Sequence, residues 1–253
     1  MKVSIITVCY NAEKTLKDTI ESVLLQTYAN IEYIIVDGAS NDNSLVIVKE
    51  CESLFEGRLK WISEPDKGIY DAMNKGIRLA SGEIVGILNS DDFFANEDCI
   101  AKIVETFKDK DIQAVYGDVR FVSPKDLSKT VRYYSSQIFS PKLFRFGFMP
   151  AHPSFYTYRK YFEEFGFYRI DYKIAADYEL LIRFLYKQKL KTKYLQFDIV
   201  TMRTGGESTR SWRSNLILNQ EIVRACKYND IYTNLPLLML KYLYKITELF
   251  GNK

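Results

Sequence analysis

Residues 84–92 read Ile-Val-Gly-Ile-Leu-Asn-Ser-Asp-Asp, an apolar run followed directly by polar and acidic residues. The run from Ile84 to Leu88 predicts a buried strand that delivers Asp91 and Asp92 to its carboxyl end, where open α/β sheets bind ligands. Two adjacent carboxylates repel unless a cation or a hydrogen-bonded ligand lies between them, and their hard oxygens suit Mg²⁺ or Mn²⁺. The simpler alternative is a solvated turn in which an Asp caps the next helix.

Strands and helices alternate in the chain that precedes this segment. Apolar runs predict strands at 3–8, 31–36 and 59–63. Helical spacing of apolar residues predicts a first helix capped by Asn11, a second over 44–54 and a third from Ile69, ended by Gly82. This β-α-β-α-β-α-β order predicts an α/β protein with a Rossmann-like, mainly parallel sheet flanked by helices.

The pattern is less regular in the second half of the chain. A helix over 100–107 and a strand over 112–116 continue it, and residues 117–148 are expected to be a functional loop region with short strands. A strand over 154–158, a short helix from Arg159 and a longer helix over 174–187 follow. Helices over 212–228 and 236–250 are expected in the tail.

Composition narrows the function classes. The chain has 253 residues, 47% of them hydrophobic, which predicts one large domain or one domain with an appended segment. Its 35 basic and 32 acidic residues are too balanced to indicate a nucleic-acid partner. No cysteine pair has CxxC spacing and there is a single histidine, which excludes a Cys/His zinc cluster and favours reduced thiols in the cytoplasm. We expect no signal peptide and no membrane-spanning stretch.

The tail is both basic and apolar. Residues 203–253 contain eight basic and four acidic residues. Such a segment can contact an anionic membrane surface peripherally. It can equally pack against its own domain or a second subunit, so both alternatives and an oligomer stay open.

Polar residues follow each of the first three predicted strands. Because the carboxyl ends of parallel strands meet at one edge of a sheet, these residues are expected close together. Asp37 is placed to accept hydrogen bonds from a base or ribose, although Asp37-Gly38 is also a plain turn signal. Neither GxGxxG nor a P-loop occurs, so a cation with Asp91, Asp92 and Lys67 must balance a diphosphate. The candidate donor-site residues at these strand ends are Thr7, Tyr10, Asn11, Asp37 and Lys67.

Taken in order, the segments of the first 120 residues resemble family 2 glycosyltransferases with the GT-A fold. Each segment alone is weakly specific, whereas their order and spacing together are very specific. The resemblance rests on residues 4–11, 36–42, 68–76, 80–83 and 88–92.

The resemblance implies a metal-dependent hexosyltransferase. It implies an inverting transfer from a nucleoside-diphosphate sugar, with UDP as the nucleotide, to an acceptor hydroxyl, as in polysaccharide-biosynthesis glycosyltransferases. If the basic tail contacts a membrane, a saccharide or lipid-linked saccharide is the natural acceptor, and cell-surface polysaccharide biosynthesis is the hypothesis. By the same resemblance Asp37 contacts the nucleobase, Asp91 the ribose or the metal, and Asp92 the Mn²⁺ or Mg²⁺ ion. Lys67 and Asn74 would line the donor pocket. Asn89 stands where the family's metal motif often begins with Asp, so we assign it no ligation.

A second matching region is Ala175-Ala176-Asp177-Tyr178-Glu179-Leu180-Leu181-Ile182-Arg183. It is similar to the family's acceptor-side segment, in which an acidic residue serves as base, and here Asp177 is that candidate. Many members carry Glu immediately before this Asp, where the present chain has Ala176. The alternative role of Asp177 is an Asp in the first turn of a helix, favoured by the helix dipole. Glu179 is expected to face another side of the helix and to be solvated.

Two further features are candidates for substrate contact. His152 lies between prolines, where it could reach the diphosphate or the acceptor, or simply be a turn residue. Arg203 and the glycine-containing loop 205–208 could close over the donor as a lid.

The expected organisation is a GT-A domain over 1–210 and a helical extension over 211–253. Within the domain, residues 1–116 form the nucleotide-sugar half and residues 117–210 the acceptor half. Two other functions remain open. A nucleotidyltransferase that makes the activated sugar would need a Gly-rich loop after the first strand, and residues 7–12 contain no glycine. The other is a non-catalytic nucleotide-sugar-binding subunit.

Overall fold

The computed structural model describes residues 1–205 and 212–241. In the first part of the chain, strands and helices alternate in the order β1 (Val3–Cys9), α1 (Leu16–Leu24), β2 (Ile31–Asp37), α2 (Ser44–Glu52), β3 (Leu59–Ser63), α3 (Ile69–Leu79) and β4 (Ile84–Ile87). The remaining elements are β5 (Phe93–Phe94), α4 (Cys99–Thr106), β6 (Ala114–Ser123), β7 (Asp126–Tyr134), β8 (Tyr156–Tyr158), α5 (Lys160–Phe165), α6 (Ala176–Leu181), β9 (Thr192–Arg203) and α7 (Trp212–Tyr228). The predicted α/β class is confirmed.

The strands of the described residues form one sheet in the order β3-β2-β1-β4-β8-β6-β9-β5, with β7 paired to β6. The first four strands in this order are parallel, and their register aligns Cys9 with Asp37 and Asp37 with Ser63. Strand β8 runs antiparallel to both β4 and β6, whereas β6 and β9 are parallel. The sheet is therefore parallel from β1 to β4, as expected, and mixed in the strands that follow.

The central strands are apolar along their whole length because helices cover both faces of the sheet. Every residue of β1 and β2 is buried. On one face Ile6, Ile34 and Val85 pack with α3, and on the other face Ile5 and Ile35 pack with α1, α2 and α4. This burial fixes the positions of the strand ends, from which the candidate site is built.

Two glycines mark close approaches within this core. A Cβ atom on Gly76 in α3 would lie 2.4 Å from Cγ2 of Ile6, so the helix contacts β1 directly. A Cβ atom on Gly86 in β4 would lie 2.0 Å from Cε1 of Tyr156, which packs over that strand. Glycine at these positions lets α3 and β8 approach the parallel strands closely.

The expectation of a functional loop region with short strands over 117–148 is wrong for its first part, where the strands are long. Strands β6 and β7 form a long antiparallel hairpin through residue 134. The first six residues of β7 are exposed, so β7 lacks the one-sided alternation that identifies a half-buried strand. The strand expected over 154–158 is also shorter, because residues 152–154 form a 3₁₀ turn before β8.

Helix boundaries differ from expectation at three places. Helix α1 begins at Leu16, and Asn11 is not its cap but a loop residue with a φ of 51°. Helix α3 ends at Leu79, before the expected Gly82. The helix expected over 174–187 is α6 followed by a π-helical segment, Ile182–Lys187.

Helix α7 occurs where the sequence predicts it, and residues 235–241 are helical. The rest of the helix expected over 236–250 lies outside the described residues. Ile222, Ala225 and Cys226 of α7 belong to the same hydrophobic cluster as Leu180 of α6. The described part of α7 therefore packs against its own chain. In the two described ranges, no helix combines the length and apolar character needed to cross a membrane.

Two buried tyrosines of this core differ in whether the hydroxyl is hydrogen-bonded. We therefore expect loss of the hydroxyl to change the free energy of unfolding in opposite directions. The hydroxyl of Tyr156 is buried without a hydrogen-bond partner in the described structure, whereas that of Tyr178 donates to the carbonyl of Phe144. Because an unpaired buried hydroxyl is costly, Tyr156→Phe should raise the free energy of unfolding by about 1 kcal/mol. The matched control Tyr178→Phe should lower it by about 1 kcal/mol. Urea denaturation measures both, and a clear loss of stability in Tyr156→Phe would contradict the expectation.

Candidate active site

Asp37 lies at the carboxyl end of β2 and is held by several donors. Its side chain is 1% exposed. The carboxylate accepts hydrogen bonds from the backbone N–H of Ser40 at 3.0 Å, the hydroxyl of Ser40 at 2.5 Å and the hydroxyl of Ser63 at 2.7 Å. Ser63 ends β3, so this carboxylate joins the ends of two neighbouring strands. Nothing in the sequence distinguishes Ser40 and Ser63 from ordinary turn residues.

The loops after β1, β2 and β3 lie against one another. The side-chain oxygen of Asn11 accepts a hydrogen bond from the backbone N–H of Asn41 at 2.9 Å. A Cβ atom on Gly38 would lie 2.7 Å from Oδ2 of Asp66 and 3.5 Å from Cδ2 of Tyr10. The side chain of Tyr10 is 62% exposed. An exposed aromatic ring therefore borders the cluster that contains Asp37.

The fourth strand end carries the adjacent carboxylates. Asp92 is 1% exposed, and its Oδ2 accepts a hydrogen bond from the side-chain amide of Asn89 at 2.9 Å. The carbonyl of Asp92 accepts a hydrogen bond from the hydroxyl of Thr19 at 2.7 Å, which ties the turn to α1. Asp91 is half-buried. Asn89 thus orients one carboxylate of the pair through its amide.

Burial raises the pKa of both carboxyls of this pair. The pKa of Asp92 lies well above its ordinary value, first because the group is desolvated and second because Asp91 is beside it. Desolvation also raises the pKa of Asp91. A divalent cation between the two would favour their charged forms, so the donor set fits a hard metal ion. In residues 1–205 and 212–241 no group of three or more His, Cys, Asp or Glu could hold a metal. The remaining ligands would have to come from a substrate and water, as is usual for Mg²⁺.

Arg203, the last residue of β9, lies beside this pair. Its guanidinium donates to the carbonyl of Asp91 and to the carboxylate of Asp18, and it lies 5.1 Å from the ring centroid of Phe93. The side chain is 8% exposed. These contacts connect β9 to the acidic turn. Residues 206–208 of the expected lid lie outside the described residues.

Asp177 begins the first turn of α6 and is half-buried. Its Oδ1 accepts a hydrogen bond from the backbone N–H of Tyr178 at 2.8 Å and lies 3.3 Å from the hydroxyl of Tyr70. Burial raises the pKa of Asp177 to about 6, although these two hydrogen bonds oppose the increase, and the charge of Glu221 adds to it. A carboxyl with this pKa can accept a proton near neutral pH.

Tyr70 brings Asp177 to the edge of the sheet at which the parallel strands end. It lies in the first turn of α3, which begins where the loop after β3 ends. Its hydroxyl also donates to the carbonyl of Ile174. The segment before α6 is therefore attached to the same edge that carries Asp37. Sequence reasoning missed this role of Tyr70, because an aromatic residue on the apolar face of a helix indicates only packing.

His152 is placed inside the protein. Its side chain is 6% exposed, and its Nε2 lies 2.5 Å from the hydroxyl of Tyr168. Burial lowers the pKa of His152 to about 4, so the ring is neutral at pH 7 and supplies no positive charge to a diphosphate. Direct substrate contact by His152 stays a prediction.

Three other candidate donor-site residues differ in accessibility. Thr7 is fully buried, and its hydroxyl lies 3.0 Å from the hydroxyl of Tyr33. Asn74 is 3% exposed and pairs with Tyr168 twice, accepting from its N–H at 2.9 Å and donating to its carbonyl at 2.8 Å. Lys67 is exposed in the loop before α3. Of these three, Lys67 has the accessibility that a substrate contact needs.

The expectation that Glu179 is solvated is wrong. Its side chain is fully buried and forms an ion pair with Arg183 at 2.8 Å. Arg183 also donates to the backbone carbonyls of Phe165, Gly166 and Phe167. A buried charge is tolerated when it is paired and hydrogen-bonded, so Glu179 and Arg183 hold α6 against the segment before it.

The contact between Tyr70 and Asp177 leads to a testable prediction. The hydrogen bond favours the charged carboxylate, so Tyr70→Phe should move the pKa of Asp177 further above about 6. Tyr168→Phe is the matched control, because its hydroxyl pairs with His152 instead. Carboxyl-carbon NMR titration of the three proteins measures the effect. An unchanged pKa in Tyr70→Phe would show that the hydroxyl does not act on Asp177.

Sequence comparison finds relatives that are named as glycosyltransferases. An uncharacterized glycosyltransferase of Mycobacterium tuberculosis is 35% identical over 185 residues, covering 72% of this chain and 68% of its own length. A PGL/p-HBAD biosynthesis glycosyltransferase of Mycobacterium bovis is 27% identical over 222 residues, covering 87% of this chain and 82% of its own.

Two solved structures have a similar fold. The mannosyltransferase PcManGT of Pyrobaculum calidifontis, in complex with GDP-Man and Mn²⁺, matches with a TM-score of 0.67 and 19% identity, covering 93% of this chain and 66% of that one. S. aureus TarS 1–349 in complex with UDP-GlcNAc matches with a TM-score of 0.64 and 15% identity, covering 90% and 73%. The chain spans only 40% of a longer TarS structure. These similarities confirm the GT-A fold.

The family model for "Glycosyl transferase family 2" matches residues 4–168, which include the four strand ends described above. That match covers more than half of the chain, and the M. tuberculosis relative supports it over a similar length. The chain belongs to glycosyl transferase family 2.

Proposed function

We propose that this chain transfers a sugar from a nucleoside-diphosphate sugar, with UDP as the nucleotide, to an acceptor hydroxyl with inversion at the anomeric carbon. The observation that supports the proposal is that two kinds of buried carboxyl lie at one edge of the sheet. Asp91 and Asp92 are adjacent carboxyls whose pKa values burial raises, which a bound cation would reverse, and Asp177 is a carboxyl with a pKa of about 6 attached through Tyr70 to the same sheet edge. Family membership supplies the reaction class.

The nucleoside would bind over the first three strand ends. The exposed ring of Tyr10 offers a face on which a base can stack. The buried carboxylate of Asp37 would accept from a base N–H in place of one of its present serine donors. Asn11 and Lys67 border the same loops. Asp91, half-buried at the fourth strand end, would contact the ribose or share the metal.

The diphosphate would lie at the acidic turn. A Mn²⁺ or Mg²⁺ ion held by Asp91 and Asp92 would neutralise negative charge on the leaving diphosphate. The Mn²⁺ in the PcManGT complex supports a metal requirement. Arg203 adds a fixed positive charge beside the turn, and it orients Asp91 through the backbone carbonyl.

Asp177 would act as general base. It takes the proton of the acceptor hydroxyl while that oxygen bonds to the anomeric carbon, and the bond to the diphosphate oxygen breaks on the opposite face. General-base catalysis typically contributes ~10²–10⁴-fold. Positioning and electrostatic stabilisation of the leaving group must therefore supply the larger part of the acceleration.

The acceptor we propose is a saccharide or lipid-linked saccharide in cell-surface polysaccharide biosynthesis. The name of the M. bovis relative, a PGL/p-HBAD biosynthesis glycosyltransferase, supports a role in biosynthesis. A cytoplasmic site of action, with the basic tail near the inner face of the membrane, belongs to the same proposal. The nucleotides named with TarS and PcManGT differ, which makes the donor the first property to measure.

The test compares donor binding with transfer. In a thermal-shift screen of nucleoside-diphosphate sugars, a UDP-sugar with Mn²⁺ should raise the melting temperature most, since binding to the native state stabilises it. Asp177→Asn should keep that shift and lose ~10²–10⁴-fold in kcat, because it removes the base and not the donor contacts. Wild-type kcat/KM should fall as the pH drops below about 6, where Asp177 becomes protonated.

Asp230→Asn serves as the control, because it changes an exposed acid on the tail. Undiminished transfer by Asp177→Asn would remove Asp177 from the mechanism. Absence of a melting shift with every donor would instead favour a different activity. A product with retained anomeric configuration would contradict the inverting mechanism.

A further inference from the structure

Glu221 of α7 is a buried carboxylate with an unusual set of partners. It is 8% exposed. Its Oε1 accepts a hydrogen bond from the backbone N–H of Lys173 at 2.8 Å, and its Oε2 accepts from those of Ile174 and Ala175 at 2.9 Å each. One side chain from the tail therefore binds three consecutive amides immediately before α6, the helix that carries Asp177.

The same segment is held from its other side. The carbonyl of Ile174 accepts a hydrogen bond from Tyr70 of α3, while the N–H of Ile174 donates to Glu221. The peptide groups on either side of Ile174 are thus fixed by two elements distant in sequence. Asp177 follows three residues later and contacts Tyr70 as well. Asp177 thus follows directly on a segment that is hydrogen-bonded to both α3 and α7.

Helix α7, which carries Glu221, is packed into the hydrophobic core. Ile222, Ala225 and Cys226 are 3%, 0% and 0% exposed and lie in the same core cluster as Leu180 and Leu181 of α6. Burial of a carboxylate costs free energy unless the group is hydrogen-bonded. The three backbone N–H donors compensate for the lost solvation of Glu221. The arrangement joins the tail to the base-bearing segment through a charged group and not through packing alone.

We propose that Glu221 is a positioning residue of the transfer reaction, which fixes the backbone of residues 173–175 so that Asp177 faces the acceptor hydroxyl. This inference rests on the proposed role of Asp177 as base. A displacement of about 1 Å at a reacting group can cost ~10²-fold in rate, which sets the scale of the effect. Glu221 contacts no reacting atom and acts through the backbone.

Glu221 also acts on Asp177 through its charge. Among the described residues, the ionisable groups that face Asp177 are Tyr70 of α3, Tyr168 and Glu221. The two tyrosines are neutral near pH 6, since the ordinary pKa of tyrosine is near 10 and burial raises it further. The negative charge of Glu221 contributes to the raised pKa of Asp177. Removing that charge should lower the pKa of Asp177, which a purely structural role would not do.

The experiment compares Glu221→Gln with wild type in the full chain. Gln keeps the shape and one acceptor oxygen but places an N–H₂ group against the backbone donors. We expect kcat to fall about 10- to 100-fold with the donor dissociation constant unchanged. We also expect the acid limb of kcat/KM against pH to move below about 6. Hydrogen exchange of the amides of residues 173–175 should accelerate specifically.

Asp230→Asn is the matched control. Asp230 lies just after α7, is 82% exposed and has a φ of 61°, which Asn tolerates. The change in formal charge is the same as in Glu221→Gln, and the lost surface pair with Lys187 is worth little. We expect wild-type kcat, pH profile and exchange.

Wild-type kcat and an unmoved acid limb in Glu221→Gln would overturn the inference, as would retained protection of the three amides. An equal loss of donor affinity would also overturn it, since positioning of the base does not act on the donor.

If Glu221→Gln does not fold, Glu221→Asp keeps the charge on a shorter side chain. This variant should lower kcat while the acid limb of kcat/KM stays near about 6. A wild-type kcat in Glu221→Asp would contradict the inference. Full transfer by Asp177→Asn would instead refute the base assignment, independently of the exchange result.

Discussion

Removal of carboxylates from water is the constraint on which the candidate site depends. Burial disfavours the charged form of an acid unless cations or hydrogen-bond donors compensate for the lost solvation. At this sheet edge the compensation differs from one group to the next. Asp37 has donors from Ser40 and Ser63, whereas Asp92 has one amide donor and an acidic neighbour. Asp177 accepts two hydrogen bonds, and burial still raises its pKa to about 6.

These differences assign different chemistry to similar side chains. A carboxylate saturated with donors, such as Asp37, is a fixed recognition group. A desolvated pair such as Asp91 and Asp92 favours a cation that restores its charge. A carboxyl with a pKa near neutrality, such as Asp177, can take up a proton during a reaction. Environments that separate the pKa values of like groups are how proteins divide acid and base roles.

The parallel part of the sheet could be predicted from the sequence because the burial of each strand leaves a pattern in consecutive residues. Both faces of β1, β2 and β4 are covered, so each strand is an apolar run that ends at a polar loop. The positions of Asp37, Asp91 and Asp92 at the strand ends followed from that pattern. Family resemblance, and not periodicity, pointed to Asp177. The hairpin of β6 and β7 was missed because the exposed β7 has no apolar face to give it a pattern.

The supporting contacts could not be predicted, because they join residues far apart in the chain. Tyr70 occupies an apolar position of α3, and nothing in the sequence shows that its hydroxyl reaches α6. Glu179 was expected to be solvated because the sequence does not show that its ion-pair partner Arg183 is itself buried. The backbone carbonyl of Phe165, to which Arg183 also donates, is brought near only by the fold. Glu221 lies in a basic, apolar tail whose pattern suggested only packing or membrane contact. Local pattern places the charged groups, while tertiary contacts decide what each can do.

The most direct test of the account is a crystal structure with an intact nucleoside-diphosphate sugar analogue and Mn²⁺. The account predicts the base beside Tyr10 and Asp37, the metal and diphosphate at Asp91 and Asp92, and the carboxylate of Asp177 on the face of the sugar opposite the diphosphate. A diphosphate bound away from the acidic turn would contradict it, as would a sugar that presents no face to Asp177.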